Sequence, residues 1–205
     1  CHACDAPGAP LFRQQRPPRD GVLTPTAQLS RPVIVRAAFT SAEIAEVDAL
    51  YREVMSADAQ MRPGEEYTQH PNCLGSRETC HNTVLLHARR LVDAKLPHIL
   101  AKVVRTMCAA DAERGWDLLG DPRVAVSLRV LEYHEYTRGG EVQDPHHRDG
   151  GSLVSMSVLL NDTGSFTGGE FTTRELSGET RHYDLRRGDA VVFQSEKYHS
   201  VQVVE

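Results

Sequence analysis

His147 and Asp149 stand two residues apart, and His199 follows after a run of short strand-like segments. Along a strand, successive side chains point to opposite faces, so His147 and Asp149 would share one face and present an imidazole beside a carboxylate. A second imidazole must then arrive from a distant strand. His199 heads the alternating polar and apolar run Ser200-Val201-Gln202-Val203-Val204, where such a strand is expected. Two histidines and one carboxylate leave coordination positions open, which suits a redox-active Fe(II) better than a closed structural zinc. The fold must therefore carry the C-terminal strand back onto the His147 segment.

An isolated His-x-Asp is weak, and its context sharpens it. After Asp149 come Gly150-Gly151-Ser152, the apolar run Leu153 to Leu160 with Asn161-Asp162, Thr167-Gly168-Gly169-Glu170-Phe171, Arg187-Gly188-Asp189 before Ala190-Val191-Val192-Phe193, and then His199. Over roughly residues 124 to 205 this succession resembles the Fe(II)- and 2-oxoglutarate-dependent oxygenases of the prolyl hydroxylase type. The resemblance implies an α+β fold in which a double-stranded β-helix, or jelly roll, follows supporting N-terminal helices. It implies His147, Asp149 and His199 as catalytic metal ligands for Fe(II), and Tyr133, closing the strand before the His-x-Asp, as a cosubstrate-binding residue. The implied reaction is hydroxylation of a C–H bond on a protein side chain, prolyl among the candidates, or on a small molecule. O2 and 2-oxoglutarate would be consumed, succinate and CO2 released, and ascorbate is admitted as an accessory reductant. Retention of Asp149 argues against the halogenating relatives, which lack that ligand.

Two other readings remain at this stage, a non-catalytic metal-binding jelly-roll interaction domain and a nucleobase demethylase. A net charge of −5 offers no basic footprint for strong nucleic-acid binding. No apolar run approaches a membrane span. In the resembled family a Lys or Arg some nine or ten residues after the distal His binds the far carboxylate of 2-oxoglutarate, and here that position falls beyond Glu205. Arg187 and Lys197 are candidate substitutes, each read as an ordinary loop charge. A chain opening at Cys1 and stopping inside an apparent strand reads as a piece of a longer protein.

Along the chain, residues 1–30 carry Pro7, Pro10, Pro17, Pro18 and Pro25 and are expected to form an extended or disordered arm, with the oxygenase domain over 31–205. Such a domain is long enough to bury about 70% of its unfolded surface, a core needing no disulfide support. Cys1-His2-Ala3-Cys4 is half a zinc site with no second half nearby, and Cys73 and Cys80 are either a local disulfide or two free thiols. Pro32-Val33-Ile34-Val35 reads as a short strand. Thr40-Ser41-Ala42-Glu43 matches a capping box, followed by Ile44, Val47, Leu50, Tyr51 and Val54 at helical spacing. A long loop is expected over 56–80, a helix from near Asn82 divided at Pro97, and a strand from Val124 to Tyr133.

His146 is expected to face away from the metal set. Asp189 and Glu170 are read as turn-ordering acids, and Gly168 and Gly169 as positions with unusual backbone angles. Relatives acting on peptidyl proline carry an aromatic residue three positions before the first metal histidine, where this chain has Asp144. Tyr136 is the nearby aromatic that would replace it. Substrate choice is expected to lie in loops 62–81 and 134–145.

Overall fold

The computed structural model describes residues 24–58, 75–77, 80–120, 126–142, 144 and 146–205. Cys1, Cys4, Cys73 and most of the proline-rich segment expected as an arm lie outside the described residues, as do residues 59–74. Helices come first and antiparallel strands dominate the second half, an α+β arrangement. Among the described residues no helix is long and apolar enough to cross a membrane.

The helices are α1 (Thr24–Leu29), α2 (Ser41–Asp58), α3 (Leu91–Lys95) and α4 (Pro97–Arg114). The capping box forms as expected: Glu43 N donates to Thr40 Oγ1 at 3.2 Å, and Thr40 N donates to Glu43 Oε2 at 2.8 Å. These bonds satisfy donors that the first helical turn leaves without partners. Pro97 opens α4, where its missing N–H costs nothing, and Gly115 closes it with a left-handed φ of 63°.

Among the described residues, nine strands form three antiparallel sheets of three. One has β1 (Val33–Val35) and β5 (Val154–Val158) flanking β8 (Ala190–Gln194). The second orders β2 (Gly75–Arg77), β3 (His81–Leu85) and β4 (Glu132–Tyr136), and the third places β6 (Phe171–Arg174) between β7 (Thr180–Tyr183) and β9 (His199–Val201). Strand β8 is buried along its whole length, which explains its unbroken apolar run Ala190-Val191-Val192-Phe193. Ala190 of β8 shares one apolar cluster with Ile44, Leu50 and Val54 of α2, Leu96 at the cap of α4, and Ile99, Leu100 and Val103 within it. Each such side chain contributes about 1.5–3 kcal/mol relative to exposure, so this apolar layer dominates the fold's stability.

The turn before β8 is built as its residues suggest. Gly188 adopts φ 83°, and a Cβ there would collide with the Phe39 carbonyl oxygen. Asp189 accepts from Ala37 N at 2.8 Å, Arg186 N at 2.9 Å and Arg36 Nη1 at 2.6 Å. Gly168 and Gly169 likewise have φ of 72° and 70°.

Four expectations are corrected, the first being the loop expected over 56–80, where α2 runs through Asp58 and β2 occupies Gly75–Arg77. His81–Leu85 is a strand rather than the start of a helix, because pairing on both sides to β2 and β4 outweighs the helical spacing of its apolar residues. Of the strand expected over 124–133, only its end is realised: residues 126–131 are irregular and β4 runs from Glu132 to Tyr136. Residues 24–29, placed in an extended arm, form α1, whose Ala27 and Gln28 are buried.

Candidate metal centre

His147, Arg148 and Asp149 lie in an irregular segment rather than a regular strand. Backbone bonds nevertheless aim their side chains. His147 N donates to Asp144 O at 3.1 Å, Asp149 N to Ser195 O at 2.9 Å, and His199 N to His147 O at 3.1 Å. The last two bonds lace this segment to the turn between β8 and β9, bringing the distal histidine to the His-x-Asp. Main-chain bonding thereby helps to close the sequence separation.

Asp149 Oδ1 lies 3.5 Å from His147 Nε2 and 3.6 Å from His199 Nε2. One donor atom from each of the three residues falls within 4.8 Å of the others. Donors next to each other around one first-row ion are about 3 Å apart, so this set fits a single ion after only a small contraction. The donor chemistry, two neutral imidazoles and a carboxylate, suits Fe(II).

Electrostatics prepare the set unevenly. His199 is buried, with the Phe193 and Phe171 rings at 4.6 and 5.7 Å, and burial pushes its imidazole pKa down, keeping it neutral. Its Nδ1 lies 3.0 Å from the Lys197 carbonyl. A carbonyl only accepts, so Nδ1 carries the hydrogen and Nε2 offers its lone pair toward Asp149. His147 is half exposed, and its contact with Asp149 raises its pKa against an opposing desolvation. Burial pushes the Asp149 carboxyl up, but His147, His199 once protonated at low pH, and the Ser155 hydroxyl together hold it below the usual range. It is a carboxylate at neutral pH.

The triad opens into a cleft of about 2090 Å3, walled by β4, by residues 126–131 and by the Gly168-Gly169 turn. Alternation along β4 sends Glu132, His134 and Tyr136 to one face and Tyr133 and Glu135 to the other. The Glu132 charge bears on both His147 and Asp149, which identifies the first face as the one turned to the triad. There, His134 Nδ1 meets His81 Nε2 at 2.9 Å, His134 Nε2 lies 3.2 Å from Glu132 Oε2, and the Tyr136 ring stacks on His81 at 4.2 Å. Sequence reasoning missed this polar wall. Polar residues at alternate positions 132, 134 and 136, opposite His81 and Thr83 on β3, were its signal.

Tyr133 lines the same cleft but turns its hydroxyl to α2. Its hydroxyl donates to Asp48 Oδ1 at 3.0 Å and its ring stacks on Tyr51 of α2 at 4.1 Å. Burial first, and then Asp48, raises its pKa well above that of an ordinary phenol. The candidate substitute cations are also engaged elsewhere: Lys197 is fully buried against Gln28 O and Glu175, and Arg187 lies 3.5 Å from Asp162. His146 packs edge-on against Tyr198, away from the metal set as expected.

No family model matches the chain. It is 21% identical to a PKHD-type hydroxylase of Prochlorococcus marinus over 124 residues, which are 60% of this chain and 53% of that protein. The chain thus spans about half the length of the curated relative it matches. An oxidoreductase of the 2OG-Fe(II) oxygenase family from Burkholderia pseudomallei superposes with a TM-score of 0.52 and 19% identity, covering 93% of this chain and 87% of that one. A prolyl-4-hydroxylase from Pseudomonas putida gives a TM-score of 0.50 and 17% identity, covering 84% and 85%. This chain, a distant sequence relative of a PKHD-type hydroxylase, has the fold of the 2OG-Fe(II) oxygenases.

Proposed function

We propose that this chain is the catalytic part of an Fe(II)- and 2-oxoglutarate-dependent dioxygenase that hydroxylates a C–H bond of a protein side chain or a small molecule. The carrying observation is the convergence of His147 Nε2, Asp149 Oδ1 and His199 Nε2 at the edge of a large cleft. The fold shared with 2OG-Fe(II) oxygenases supports the same reading, with the three sheets read as the double-stranded β-helix of that family.

His147, Asp149 and His199 would hold Fe(II), leaving positions free for the cosubstrate and O2. When bound, the iron and 2-oxoglutarate supply the oxidising equivalent for hydroxylation, with succinate and CO2 as coproducts. The chain's own residues do the rest. Asp149 provides the negative charge that favours a divalent ion, and the Lys197 carbonyl holds His199 in its metal-binding tautomer. Phe171 and Phe193 shield the buried ligand from water. The wall of Glu132, His134, His81 and Tyr136 faces the triad and would orient a polar substrate group.

Anaerobic loading with Fe(II), followed by exposure to O2 and 2-oxoglutarate, tests the proposal. Succinate should form with the wild-type chain and fall to background in Asp149→Ala. Iron binding with no succinate would instead favour a non-catalytic module.

A further inference from the structure

The turn between β8 and β9, Ser195 to Tyr198, holds both halves of the metal set. Ser195 O accepts from Asp149 N at 2.9 Å, Glu196 pairs with Arg148 at 2.7 Å, and Lys197 O binds His199 Nδ1 at 3.0 Å. Its far side is gripped by one residue from the other end of the chain. Gln28 of α1 donates Nε2–H to Glu196 O at 2.6 Å, accepts Tyr198 N on Oε1 at 3.1 Å, and accepts the buried Lys197 Nζ on its own carbonyl at 2.9 Å. Gln28 is 4% exposed and Lys197 fully buried.

Three bonds on three consecutive residues leave the turn little freedom. Lys197 lies in the middle of the three, and its carbonyl sets the tautomer and direction of the His199 ring. Its ammonium also lies 3.2 Å from Glu175, so its burial is compensated from two sides. Replacing the Gln28 side chain would remove the donor to Glu196 O and the acceptor of Tyr198 N, while the Gln28 carbonyl would still accept Lys197 Nζ. The turn would relax to find others.

We infer that Gln28 is a positioning residue for the metal centre: by clamping the Glu196-Lys197-Tyr198 turn, α1 holds the Lys197 carbonyl where it fixes His199 as a metal ligand. Metal affinity should then depend on a helix that contacts no ligand. The inference rests on the metal-binding reading of the triad given above.

Co(II) affinity, measured by chelator competition on the 205-residue chain at neutral pH, provides the test. Gln28→Ala should weaken binding about 10-fold, the lower end of what loss of outer-shell support costs a metal site. Gln28→Glu keeps the acceptor for Tyr198 N, loses the donor to Glu196 O, and should weaken it by a smaller factor; it serves also where Gln28→Ala folds poorly. Leu29→Ala, an exposed position on the same helix, should bind as wild type. Wild-type affinity in both Gln28 variants overturns the inference, even if their melting temperatures fall, because that is the outcome of a purely structural role. If His199→Ala loses Co(II) while the Gln28 variants do not, only this inference fails. If the wild-type chain binds no Co(II), or His199→Ala binds it unchanged, the metal-binding reading fails as well.

Discussion

Tyr133 and Asp48 are joined by a 3.0 Å hydrogen bond across the interface between β4 and α2, on the side of the strand turned away from His147. The phenol hydroxyl is thus occupied in holding a helix to a sheet, with the Tyr51 ring stacked alongside. Tyr133→Phe should lower stability by about 1 kcal/mol, the net worth of one hydrogen bond, and leave the 2-oxoglutarate requirement unchanged. A rise in that requirement without a change in melting temperature would restore the cosubstrate role that the family resemblance assigns to Tyr133.

Divalent metal should stabilise the folded chain through the triad alone. A saturating ion at about 100 times its Kd adds about 2.7 kcal/mol, readable as a rise in melting temperature with Co(II) or Mn(II). Asp149→Ala and His199→Ala should abolish the rise. The effect should weaken as pH falls, because protons compete for the ligands. His147 should limit it, its pKa being raised by Asp149, while His199, lowered by burial, stays neutral to lower pH. If His199 protonates before His147 as the metal-free chain is acidified, followed by NMR of the two imidazoles, that assignment fails.

Glu43 ties the start of α2 to α4. It caps the helix through Thr40 and accepts from Lys102 Nζ at 2.7 Å, and these contacts, Lys102 first, lower its pKa to about 2. A folded-state value below the unfolded one stabilises the protein above the unfolded pKa of about 4.5 and loses that contribution as pH falls toward 2. Glu43→Gln should therefore reduce stability at neutral pH and flatten the acid limb of the unfolding curve between those values. Equal acid sensitivity in the two proteins would remove Glu43 from the linkage.

Local signals were legible in the sequence where one residue type has one physical use. Thr40 and Glu43 form the expected cap, Gly188 takes the left-handed turn, and Asp189 receives two backbone donors. The triad was legible too, although for a reason that needed amending: His147 and Asp149 meet in an irregular segment positioned by Ser195 and His199, not on a regular strand. What escaped were features made by partners remote in sequence. His81–Leu85 has helical spacing on its own and becomes a strand only between β2 and β4. The burial of Lys197, which reads as a loop charge, depends on Gln28 and Glu175. Asp144, which stands where relatives acting on peptidyl proline carry an aromatic, is exposed and accepts His146 N at 2.8 Å.

Asp189 should be the most costly single acid to remove outside the metal set. It is 3% exposed, and Ala37 N, Arg186 N and Arg36 all converge on its carboxylate. Asp189→Ala strands two backbone donors, while the exposed Arg36 keeps its bond to Asp184 O, an expected loss of about 3 kcal/mol. Exposed pairs such as Lys95 with Glu53 should contribute about 0–1 kcal/mol by comparison. Chemical denaturation of Asp189→Ala beside Glu53→Ala would expose the contrast, and similar losses in both would refute it.

Substrate preference should follow the wall that faces the triad. Glu132, His134, His81 and Tyr136 present a carboxylate, two imidazoles and a phenol to the cleft, whereas a proline ring needs an apolar surface. A substrate with a cationic or hydrogen-bond-donating group near its reacting carbon would satisfy Glu132; a simple proline-rich peptide would leave that carboxylate desolvated and without a new partner. In a screen of proline peptides against basic peptides and free amino acids, read by mass gain of one oxygen, the basic compounds should react and the proline peptides only weakly. With the best substrate found, Glu132→Gln should raise KM several-fold while changing kcat less, since the lost contact is made in the ground state and the transition state alike. Efficient turnover of an ordinary proline peptide, unaffected by Glu132→Gln, would show that this wall does not select the substrate.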